Sequence, residues 1–115
     1  MREVLNIQNR NGVIIGSFKG ENNFNSEVTQ FAKEQIFKYV SSDTPNLVFI
    51  LDMNHLTRFD SSTLGCLVAS LRAAKKHNNS FILCNLTNKF KEVLDIMHLT
   101  KMFTIYETLE EFFEI

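Results

Sequence analysis

Leu47-Val48-Phe49-Ile50-Leu51 is an unbroken apolar run, and Phe81-Ile82-Leu83-Cys84 is a second. A strand with one wet face alternates apolar and polar residues. A run with no polar member is buried on both faces, as inside a parallel sheet. Between the two runs, residues 62–77 repeat apolar side chains at helical spacing, with Leu64, Leu67, Val68, Leu71 and Ala74 aimed at a core. Arg72, Lys75 and Lys76 lie near that helix's C-terminus, where the dipole favours cations. Strand, helix and strand predict a right-handed βαβ crossover, which commits the chain to an α/β fold.

The flanking segments extend this unit. Residues 4–9 and 13–19 are β-like runs joined at Asn11-Gly12, a dipeptide that accepts the positive φ angles of a tight hairpin turn. Residues 20–25 read as a polar loop. Asn25 or Ser26 caps a helix with Val28, Phe31, Ala32, Gln35, Ile36, Tyr39 and Val40 on one face, and residues 41–45 break it. Thr87 or Asn88 opens another helix, with Phe90, Val93, Leu94 and Met97 inward. A short strand at 103–105 and a C-terminal helix bearing Leu109, Phe112 and Phe113 follow. There is no repeat and no linker. The expectation is one domain over residues 1–115, with a mixed four- to five-stranded sheet, an N-terminal β-hairpin and about four helices.

Composition narrows the function classes. With 44% apolar and 22% charged residues and a formal net charge of −1, the chain carries no basic footprint for nucleic acid. No apolar run nears the ~20 residues that span a bilayer, and the opening Met1-Arg2-Glu3-Val4 lacks the apolar core of a signal peptide. Cys66 and Cys84 sit in apolar segments without metal or redox spacing and read as buried thiols of a reducing compartment, the cytoplasm. The three histidines and two cysteines show no ligand spacing, so neither metal nor cofactor is expected. His55 lies near Asp60 and Ser61, but no GxSxG elbow supports a hydrolase.

The segment with chemistry to offer is Phe59-Asp60-Ser61-Ser62-Thr63-Leu64-Gly65. A hydroxyl just before a helix caps an orphan backbone N–H. At Ser61 the same placement would present an exposed alcohol at the positive end of a helix dipole, where an added phosphate would rewrite the surface. Asp60 either orients that acceptor or bonds local amides. Asp52, at the end of the first apolar run, reads as structural; as the acceptor of a phosphoaspartate receiver it would need an acidic pair after the first strand, where the chain has Asn9-Arg10.

These residues resemble the STAS domain, and within it the bacterial anti-sigma factor antagonists. The likeness covers nearly the whole chain and rests on the hairpin, Leu51-Asp52, Asp60-Ser61-Ser62-x-Leu64-Gly65, Leu83-Cys84-Asn85 and Met97-His98-Leu99. It implies that Ser61, with Ser62 as the alternative, is phosphorylated by an anti-sigma factor serine kinase. The unphosphorylated protein would bind that kinase and release its sigma factor, phosphorylation would end the complex, and a PP2C-type phosphatase would reset it. The implied partner surface is Asp60, Ser61, Ser62, Thr63 and Leu64 with Asn22 and Asn23. The protein would be substrate and ligand, not an enzyme, with no direct contact to nucleic acid or membrane. The chain departs from the family at Thr63, where most members have Gly, and at Asn22-Asn23. The other reading is a constitutive STAS adaptor that uses the same surface without phosphorylation.

Overall fold

The computed structural model describes residues 2–20 and 23–114. Strands β1 (Leu5–Arg10) and β2 (Val13–Phe18) form the expected antiparallel hairpin. Asn11 and Gly12 have φ of 54° and 86°, and the Gly12 N–H donates to Asn9 Oδ1 at 2.9 Å. Beyond the hairpin, β4 (Val48–Asp52), β6 (Ser80–Cys84) and β7 (Thr104–Tyr106) add in parallel, giving the order β1-β2-β4-β6-β7. β7 begins one residue later than the sequence suggests, because Phe103 turns into the core instead.

Helices α1 (Ser26–Val40), α2 (Ser61–Lys76) and α3 (Asn88–Ile96) cover one face of this mixed sheet. Their apolar sides close over Phe49, Leu51, Phe81 and Leu83. α4 (Leu109–Phe113) lies on the other face, placing Phe112 and Phe113 over Ile15, Ile50 and Ile82. Arg10 pins it, pairing with Glu110 at 3.2 Å while its guanidinium lies 4.1 Å from the Phe113 ring centre. No helix among the described residues is long and apolar enough to cross a membrane.

The helix faces differ from the sequence reading in detail. On α2 the buried residues are Thr63, Cys66, Leu67, Ser70, Leu71 and Ala74, while Leu64 and Val68 are only half-buried. The face is rotated because two of its members are hydroxyls whose bonds end on backbone carbonyls: Thr63 Oγ1 donates to Phe24 O, and Ser70 Oγ to Cys66 O at 2.8 Å. Satisfied in this way, a polar side chain is cheap to bury. On α1, Gln35 is buried for the same reason, since its Oε1 accepts from the amides of Val4 (2.7 Å) and Leu5 (2.8 Å). Met97 is not on the buried side of α3; it stands just past the helix end, exposed beside Ile96.

One element is new. The segment read as a polar loop contains β3 (Asn23–Phe24), which pairs in parallel with β5 (Arg58–Phe59) in a separate two-stranded sheet. Phe24 is fully buried there and packs 4.7 Å from Phe18, ring centre to ring centre. Each strand runs directly into a helix, so this small sheet fixes the starts of α1 and α2 side by side.

Candidate functional site

The cap of α2 is Asp60, not a serine. Ser61 is the first helical residue. The Asp60 carboxylate accepts the Ser62 N–H at 2.9 Å and the Ser62 hydroxyl, while Thr63 Oγ1 accepts the Asp60 N–H at 3.1 Å. This is a reciprocal capping box built with threonine at its third position. The other carboxylate oxygen reaches the neighbouring helix, where Asp60 Oδ2 accepts the Ser26 N–H at 3.1 Å. Asn25, the cap of α1, takes the amides of Glu27 and Val28 and leaves Ser26 to Asp60. Thr29 Oγ1 closes the arrangement, 3.3 Å from Ser62 Oγ and 3.0 Å from Ser26 O. The bonded Ser62 hydroxyl, seconded by the Ser62, Ser26 and Thr63 amides against some desolvation, holds the Asp60 carboxyl below the ordinary aspartate value.

The three adjacent hydroxyls therefore occupy three environments. Ser61 is exposed, and its hydroxyl has no hydrogen-bond partner among the described residues. Ser62 is half-buried and bonded to Asp60 and Thr29. Thr63 is fully buried and presents no side-chain surface to a partner; it supports the site from beneath. Leu64 is half-buried on the flank, and Asn23 is half-buried in β3 beside Phe24. Asn22 lies outside the described residues. From Ser62 an open groove of about 450 Å³ runs between α1 and α2, lined by Thr29, Gln30, Lys33, Gly65 and Cys66. Phe59 stacks edge-on against Phe90 at 4.8 Å and joins this corner to α3.

Elsewhere, Asp52 ends β4 with its carboxylate held by the Asn54 amide and the Asn85 side chain, both at 3.0 Å. Burial pushes the Cys66 thiol up to about 11 and the Cys84 thiol up to about 12, so neither is a thiolate near neutrality. Among the described residues no three His, Cys, Asp or Glu side chains gather into a metal cage.

A sequence model of the STAS domain matches residues 5–112. The chain belongs to the STAS domain family. Solved structures share the fold: a STAS-domain anti-sigma factor antagonist protein from Planctomyces limnophilus superposes with a TM-score of 0.83 at 19% identity, over 93% of this chain and 92% of that one. A Thermotoga maritima protein, provisionally designated an anti-sigma factor antagonist, gives 0.81 at 21% identity, over 96% and 92%. In this STAS domain the sequence pointed to Asp60, Ser61 and Ser62, which do meet at one corner. It did not point to Ser26, Thr29 or Phe24, which hold that corner from the α1 side. The one available signal was Thr29, a hydroxyl on the apolar side of α1 three residues after Ser26.

Proposed function

We propose that this STAS domain is an anti-sigma factor antagonist whose switch residue is Ser61. The observation that carries the reading is the free, exposed Ser61 hydroxyl at the first position of α2, flanked by side chains already committed to hydrogen bonds. In the modification, Ser61 Oγ bonds to the γ-phosphorus of ATP, the bond from that phosphorus to the ADP oxygen breaks, and the hydroxyl proton leaves to a base of the kinase. The unmodified domain docks on the anti-sigma kinase and frees its sigma factor; a PP2C-type phosphatase restores the alcohol.

The energetics favour a switch at the interface. A phosphoserine adds roughly −1.5 to −2 charge. Against its own helix N-terminus that charge gains ~0.3–1 kcal/mol, so the domain stays folded. Enclosed in an interface beside Asp60, it meets desolvation and like-charge repulsion of several kcal/mol. A loss of about 3 kcal/mol weakens binding about 150-fold.

The test incubates the protein with the serine kinases of its own organism and ATP, then maps the phosphopeptide. Label at Ser61, permanent binding by Ser61→Ala and poor binding by Ser61→Asp are expected. Absence of label together with wild-type binding by Ser61→Asp would establish the constitutive adaptor instead.

A further inference from the structure

Asp60 holds two helix starts at once, and its covalent neighbour is the residue proposed to be phosphorylated. Its Oδ2 covers the Ser26 amide of α1 while Oδ1 covers Ser62 of α2. Ser26 is one of the orphan donors of a helix N-terminus, and Asn25 is already committed to the next two amides. Thr63 links the same corner to β3 through Phe24 O, and Thr29 links it to the first turn of α1 through Ser26 O. A shift of Asp60 is therefore felt on the α1 side of the junction, at residues far away in sequence.

A phosphoryl group on Ser61 brings a dianion beside the Asp60 carboxylate and competes with it for the same positive helix ends. We propose that Asp60 is a positioning residue that relays phosphorylation of Ser61 to α1: the phosphate drives the carboxylate off the Ser26 amide and loosens the start of α1 together with Asn23–Phe24. This rests on Ser61 being the modified residue. It adds that modification changes both halves of the partner surface, the α2 corner through charge and the segment before α1 through geometry.

The experiment installs phosphoserine at position 61 during translation, so its outcome does not depend on any kinase recognising the chain. Backbone amide exchange is then followed by NMR. Exchange at Ser26 is expected to quicken about tenfold, the size of one lost hydrogen bond, with shifted Asn23 and Phe24 resonances and an intact core. A nearby anion alone slows base-catalysed exchange, so acceleration cannot come from its charge directly. In the Asp60→Asn background, where the repelled charge is gone, the same phosphate is expected to change Ser26 exchange less than about threefold. If Asp60→Asn does not fold, Asp60→Ser, which keeps a capping oxygen, takes its place. Unchanged Ser26 exchange in the phosphorylated wild type, or equal acceleration in both backgrounds, would overturn the relay. Failure of kinase labelling at Ser61, by contrast, would bear on the proposed function alone.

Discussion

Thr63 is the one member of the 61–63 hydroxyl run that is sealed in the interior, and the structure gives it a measurable job. Its side chain is fully buried. Its oxygen accepts the Asp60 N–H at 3.1 Å and donates to Phe24 O. Thr63→Val keeps the shape and removes both bonds, leaving a donor and an acceptor at the junction without their partner. An unsatisfied buried polar group costs about 1–3 kcal/mol, so a loss of about 2 kcal/mol is expected from a domain whose total stability is ~5–15 kcal/mol. For a domain of this size that lowers Tm by about 8 °C, at roughly 4 °C per kcal/mol. Thr63→Ser keeps the oxygen and deletes one methyl, at about 0.8 kcal/mol plus a small cavity cost. The ordering is the sharp part: valine should be worse than serine, although valine preserves the volume. Urea and thermal melts of the three proteins measure it. Were Thr63→Val as stable as wild type, or Thr63→Ser the weaker of the two, Thr63 would be a packing residue and the hydrogen-bonded junction would not be what holds the helix starts together.

Three further outcomes are expected. Gly16→Ala should destabilise by ~1–3 kcal/mol in a urea melt, because a Cβ there would lie 2.8 Å from Phe49 Cζ; that ring is held between Tyr39 and Phe81 and has little room to yield. Gly65→Ala should raise Tm, since no heavy atom lies within 4 Å of the added methyl and alanine in a helix gains ~0.5–1 kcal/mol over glycine; a lower Tm would mean that the α2 start does not tolerate even a methyl. The Asp60 carboxyl is held below its unfolded value of about 3.9, so its contribution is present above that pH and is lost as pH falls through the lower folded value. The Tm gap between wild type and Asp60→Asn should accordingly narrow below about pH 4, whereas a gap constant with pH would show that the carboxylate's charge plays no part.

The architecture was legible because its signals are long or chemically specific. Two unbroken apolar runs set the parallel centre of the sheet, and Asn11-Gly12 set the hairpin register. Two of the helices carry caps that were among the pairs the sequence offered, Asn25 and Thr87. What stayed hidden has physical reasons. β3 and β5 are two residues each, too short to show any period. Thr63, expected on the partner surface, and Ser70, outside the apolar set that marks the inward face, are both buried because a backbone carbonyl takes each hydroxyl. Asp60, Ser61 and Ser62 are all good N-cap residues, so composition alone could not say which one caps. The decision lies across the chain, in the Ser26 amide that only the aspartate at position 60 meets.

That same decision explains how three neighbouring hydroxyls could be told apart by one enzyme through their surroundings alone. Modifying Thr63 would require opening the α2 start, because its oxygen has no exposure. Modifying Ser62 would first break the hydrogen bonds that tie its oxygen to the Asp60 carboxylate and to Thr29. Ser61 bears neither cost. Under the proposed switch, selectivity would follow from what the junction consumes: by taking up the aspartate, the second serine and the threonine to tie two helices together, the fold leaves one alcohol facing outward.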